Sequence, residues 1–207
     1  MSVPLAPELD GLLLDNLGDL EAAFKRLRHV ERAVFAEVDA TVEAWMRAQK
    51  SAPWEGDTAY FDNELTFYPK SWLHTGDKAQ TCDAWFELEF GAGDNGDDLL
   101  DDALSLTRLC RLGDGQLVFG LTQQILKVPA WKKHLKAHAD ALHPFGFRLD
   151  DVGHLCIDVQ LDNATLAQGA RDGDYGEAMG PLRAVLDQIA AAEPQLSRMI
   201  NAAREMN

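Results

Sequence analysis

Long apolar runs are missing from this chain, and so is any surplus of basic residues. No stretch approaches the roughly 18 consecutive apolar residues of a membrane-spanning helix. The first ten residues hold Pro4 and Pro7 and no basic flank, unlike a signal peptide, and read as a loose arm or short strap over residues 1–18. No membrane association is expected. Basic side chains number 19 against 34 acidic ones, a formal net charge of −15. A field of that sign repels phosphate backbones and anionic lipid, so direct nucleic-acid binding is not expected either. Cysteine is scarce: Cys82, Cys110 and Cys156 form an odd set without a CxxC pair. They read as reduced core thiols of a cytoplasmic protein.

Chemical motifs are equally sparse. There is no GxGxxG or GxxxxGK[ST] for a nucleotide phosphate and no GxSxG elbow for a serine nucleophile. His134 and His138 stand four apart on a predicted helix, as two zinc ligands would, but no glutamate follows His134 and the neighbours Lys132, Lys133 and Lys136 disfavour a cation. Asn95 and Gly96 superficially suit a calcium loop, yet glycines occupy positions 91 and 93, where an EF-hand needs acids. Looser cation binding by Asp94, Asp97 and Asp98 is compatible with the sequence. No cofactor is implied.

What remains is a globular composition, 46% apolar and 26% charged over 207 residues, suited to one domain (residues 19–207) with a real core. From Asp19 to Gln49 the residues Leu20, Phe24, Leu27, Val30, Val34, Val38, Val42 and Trp45 recur at steps of three and four, one stripe of a long helix. At 1.5 Å per residue it runs on the order of 45 Å, longer than a small sheet is wide. It therefore either lies across its own sheet or projects an end that pairs with a partner helix, in a homo-oligomer for example.

Period-two alternation predicts strands over Leu65–Tyr68, Ala84–Phe90, Leu106–Leu112 and Gln116–Gln123, the last two joined as a hairpin through Gly113, Asp114 and Gly115. Pro129 opens a basic helix that ends at Pro144. Leu155–Leu161 alternates as a fifth strand, Asn163 reads as the cap of a short helix, and Pro194 as the start of a second terminal helix after Pro181. The fold expected is α+β: a mainly antiparallel sheet of about five strands, with the long N-terminal helix and the C-terminal helices packed on it. Trp54, Trp72, Trp85 and Trp131 either fill that core or line a pocket.

The excess charge is local. Between Glu55 and Asp102 there are 13 acidic residues against Lys70 and Lys78. Strand Ala84–Phe90 puts Trp85, Glu87 and Glu89 on one face, and the loop that follows holds Asp94, Asp97, Asp98, Asp101 and Asp102. These eight residues are the candidate partner-binding set. They suit an inhibitor, immunity protein, antitoxin or nucleic-acid mimic that covers a basic partner protein.

In element order the chain also resembles the core of restriction-endonuclease-like nucleases, whose acidic strand residues and acid-x-Lys pair bind a divalent metal. The resemblance implies a metal-dependent phosphodiesterase with Asp83, Glu87 and Glu89 as ligands of Mg²⁺ or Mn²⁺ and a lysine, Lys70 or Lys78, supplied from another element. The chain departs from that pattern at its most specific point. Position 91 is glycine where the lysine would follow Glu89, and no Glu-x-Lys or Asp-x-Lys occurs anywhere. A nuclease-like fold without activity would agree with the binding role.

Overall fold

The computed structural model describes residues 7–50, 52–75, 80–90, 105–112 and 116–206. In chain order the helices are α1 (Pro7–Asp15), α2 (Leu17–Ala48), α3 (Ser105–Leu109), α4 (Val128–Leu142), α5 (Asn163–Asp172) and α6 (Gly180–Arg204). The strands are β1 (Trp54–Thr58), β2 (Leu65–Pro69), β3 (Leu73–Thr75), β4 (Gln80–Cys82), β5 (Ala84–Phe90), β6 (Leu117–Gln123), β7 (Arg148–Leu149) and β8 (Leu155–Val159). Six of them form one sheet in the order β1-β2-β5-β6-β8-β7, antiparallel at every pairing, while β3 and β4 form a small separate ribbon. The α+β architecture is therefore as expected, with a long N-terminal helix, an antiparallel sheet and C-terminal helices. No described helix is long and apolar enough to cross a membrane.

Alternation decides which side of the sheet is covered. Phe67 on β2, Phe86 and Leu88 on β5, Phe119 on β6 and Ile157 on β8 are buried, in one core with the stripes of α2 (Val34, Val38, Val42, Trp45) and α6 (Leu182, Leu186, Ile189, Leu196). Trp131 and Leu135 of α4 close that layer. Trp54 and Trp72 are buried as well, so three of the four tryptophans singled out in the sequence are core pieces. Aromatic rings run through the layer, with centroids 5.1 Å apart for Trp45 and Trp54 and 5.5 Å for Phe67 and Phe86. The long helix divides into two halves. Its C-terminal half lies in the core, whereas every residue from 7 to 27 is exposed.

Three expectations are corrected. Leu106–Leu112 is not a strand: Ser105–Leu109 is a helix, so β6 has no hairpin partner there, and β5 and β8 flank it instead. Leu106, Leu109 and Cys110 also satisfy the helical spacing of three and four, and a distant carboxylate decides between the periods. Oε1 of the buried Glu31 on α2 accepts the Leu106 backbone N–H at 3.1 Å. The Gly113–Gly115 turn lies outside the described residues. Pro194 does not start a helix but sits inside α6. It falls on the exposed side of the helix, and the buried stripe continues through Leu196, Met199 and Ala203. The cap of α5 is Asp162, one residue before Asn163, and its carboxylate accepts the Thr165 N–H at 2.7 Å.

Candidate functional site

Strand β5 lies inside the sheet, paired along its whole length with β6, so the residues it turns away from the core stand on a rigid platform. Register places Thr66, Glu87, Gly120, Cys156 and Arg148 in one row across β2, β5, β6, β8 and β7. The neighbouring row holds Glu89, Val118 and Asp158, and Trp85 faces Thr122 in the other direction. At the sheet edge Glu55 and Asp57 join the same side through their pairing with Tyr68 and Thr66.

The two ends of this face differ in charge. Toward β7 it is neutralised: Asp158 is clamped at 2.6 Å by Arg111 and at 2.6 Å by Arg148. Burial alone would raise the Asp158 carboxyl, but the hydrogen bonds and charges of the two guanidiniums outweigh it and hold the group below the usual carboxylate range. Arg111 reaches this position from a left-handed backbone, φ 52°, just after α3, where the Leu112 N–H returns to the Thr107 carbonyl as in a Schellman cap. Beside the clamp the buried Cys156 thiol is pushed up to about 11 by its burial, so it stays protonated at neutral pH.

On β5 the balance is the opposite. Glu87 and Glu89 have no ion-pair partner among the described residues, where the one hydrogen bond to either is the Trp85 indole N–H donated to Glu87 at 3.4 Å. Glu89 lies across β6 at the point where Gly120 has no side chain: a Cβ there would fall 1.7 Å from Glu89 Oε1. Burial in that seat raises the Glu89 carboxyl above its ordinary range, and the charges of Glu87 and Asp150 push it the same way.

Trp85, Glu87 and Glu89 are thus brought together on the outward face. The rest of the binding set, Asp94, Asp97, Asp98, Asp101 and Asp102, lies outside the described residues, in the segment that leaves the end of β5. Asp83 belongs elsewhere. Its Oδ2 is held 2.6 Å from Arg204 Nε, and Arg204 also donates to the Trp72 carbonyl at 3.1 Å, which ties the start of β5 to α6. Among the described residues no group of three His, Cys, Asp or Glu is placed to hold a metal ion, so Asp83 does not converge with Glu87 and Glu89. His134 is buried and its Nε2 bonds the Met199 carbonyl at 2.9 Å, while His138 Nδ1 bonds the His134 carbonyl at 2.9 Å. The first bond ties α4 to α6, and the second turns His138 back onto its own helix. Lys70 pairs with Glu55 at 2.6 Å.

Sequence reasoning missed the Arg111–Asp158–Arg148 clamp, whose parts are 47 and 10 residues apart along the chain. It also missed Asp39, whose two carboxylate oxygens accept the Tyr60 N–H at 3.3 and 3.2 Å. Burial raises that carboxyl to about 6 against the lowering effect of this hydrogen bond, with Asp57 and Asp62 adding to the rise. Only the alternation on β5 carried a readable signal. Compared with protein-family models, curated proteins and solved structures, the chain matches none.

Proposed function

We propose that the chain is a protein-binding module that offers the outward side of β5 to a basic partner protein, as an inhibitor, immunity protein or antitoxin would. The observation that carries this reading is the pair Glu87 and Glu89, carboxylates fixed side by side on a central strand with no cation against them among the described residues. A half-buried like-charge pair is a standing electrostatic cost, and a lysine or arginine from a partner relieves it on docking. Trp85 beside them supplies the flat, amphipathic surface that protein contacts favour. The acidic segment after Phe90 extends the same charge, and 13 acidic residues against two lysines over residues 55–102 give a field that speeds encounter. The reading is of a cytoplasmic module, in keeping with three cysteines that carry no bridge.

The test is affinity capture on the immobilised chain, with a Glu87→Gln/Glu89→Gln variant as the parallel matrix. Expected is a protein of basic pI retained by the wild type at about 0.05 M salt, released by about 0.5 M, and weakly held by the variant. Retention indifferent to salt and to both substitutions, or no difference between the two matrices, contradicts the proposal.

A further inference from the structure

The exposed part of the N-terminal helices carries a second, independent surface. From Pro7 to Leu27 no residue is buried, yet the segment bears Leu9, Leu12, Leu13, Leu14, Leu17, Leu20, Phe24 and Leu27, with Leu17 61% and Phe24 49% exposed. Leu13, Leu17, Leu20, Phe24 and Leu27 follow steps of four, three, four and three. The same seam runs on through Val34, Val38 and Trp45, which are buried in the domain. A strict alternation of three and four is the a/d seam of a coiled coil, narrower than the stripe of a helix lying on a sheet. Asn16 joins the two helices through their end bonds, its N–H to the Leu12 carbonyl of α1 and its carbonyl to the Leu20 N–H of α2, with a backbone (φ −112°, ψ 18°) that departs from the helix.

Left alone, this rod is a poor structure. Gly11 and Gly18 sit in it with open space where a side chain would be, and each costs about 1 kcal/mol of helix stability relative to alanine. Helices in water draw most of their stability from packing of the apolar face, and among the described residues this face has none.

Charge identifies the occupant. Glu8, Asp10, Asp15, Asp19 and Glu21 precede Phe24 with no lysine or arginine among them, and Lys25, Arg26, Arg28 and Arg32 follow it against Glu31 alone. One half of the rod is acidic and the other basic. Laid parallel, two copies would set like charge on like. Laid antiparallel, with Leu20 against Phe24 and Leu17 against Leu27, they set Asp15, Asp19 and Glu21 of each copy beside Lys25, Arg26 and Arg28 of the other and keep the two domains at opposite ends. We infer that two copies of this chain associate through residues 17–27 as an antiparallel helix pair. The overlap is lined by Leu17, Leu20, Phe24 and Leu27 of each copy.

Sedimentation of the full chain tests the association. The expected result is a dimer at micromolar concentration that Phe24→Asp weakens about 100-fold or more. Unchanged tryptophan fluorescence from the buried Trp45, Trp54 and Trp72 would show that the domain stays folded. Orientation is read by mixing Leu17→Cys and Leu27→Cys chains, oxidising, and identifying the bridged peptides by mass. A mixed 17-to-27 bridge is expected. A monomer at about 100 µM, a dimer indifferent to Phe24→Asp, or bridges joining like positions would overturn the inference.

Discussion

Strand β5 turns Phe86 into an aromatic layer, 5.5 Å from Phe67 and 5.8 Å from Trp72, and one residue later turns Glu87 outward beside Glu89. The inner face is filled from three helices, and its residues are fixed by volume. The outer face is fixed by register and by charge, neutralised toward β7 by two arginines on Asp158 and left acidic on β5. Two adjacent positions on one strand therefore answer to different physics, one to packing and one to whatever meets the surface.

The largest expected effect sharpens that contrast. Phe86→Ala should cost about 3 to 5 kcal/mol in urea denaturation, as for other fully buried aromatics, whereas Glu87→Gln should stay within about 0.5 kcal/mol. A comparable loss at both positions would break the distinction. Glycines give the second comparison. A Cβ at Gly56 would lie 1.9 Å from the Thr66 carbonyl oxygen and 2.6 Å from Phe67 Cα, backbone atoms that move only with the strand. Gly56→Ala is expected to cost about 2 to 3 kcal/mol and to loosen β1, visible as faster amide exchange over residues 54–58.

A smaller effect belongs to Asp39, where α2 meets the loop between β1 and β2. Its folded value of about 6 lies above the unfolded 3.8, so the stability this group confers is fully present below 3.8 and is lost as pH rises through about 6. Asp39→Asn keeps an acceptor for Tyr60 N–H and removes the charge. Discounted for solvent screening, it should gain up to about 1 kcal/mol at about pH 7.5 and nothing near pH 4, measured by denaturation at both. A gain of equal size at both pH values would place the effect elsewhere.

The smallest stability change is expected on the outer face itself. At Gly120 the three atoms nearest an added Cβ all belong to the Glu89 side chain, which can swing into solvent. Gly120→Ala should therefore leave stability within about 0.5 kcal/mol and return the Glu89 carboxyl toward its ordinary range, followed by NMR titration. An unchanged Glu89 titration would mean that its seat over β6 does not set its ionisation.

Much of this fold was legible because period and partner agree. Ala84–Phe90 alternates cleanly and is a strand at those limits, the stripe of α2 is equally direct, and the alternation of Leu155–Leu161 is a strand that stops at Val159. Legibility failed where a distant residue decides. Leu106–Leu109 fits either period until Glu31 captures its first amide, and Trp54–Thr58, with two acids and a glycine, is a strand only because β2 lies beside it. Asp83 shares the parity of Glu87 and Glu89 but is claimed by Arg204, 121 residues away. The face of β5 could be read from alternation alone. The clamp that neutralises the other end of that face could not.

The measurement that bears most directly on the proposed role is the association rate of the captured basic partner with the wild type and with Glu87→Gln/Glu89→Gln, followed at low and high salt. An acidic face that steers its partner predicts a rate about ten-fold lower in the variant at low salt, with the difference closing as salt rises. Equal rates for the two proteins at low salt would contradict it.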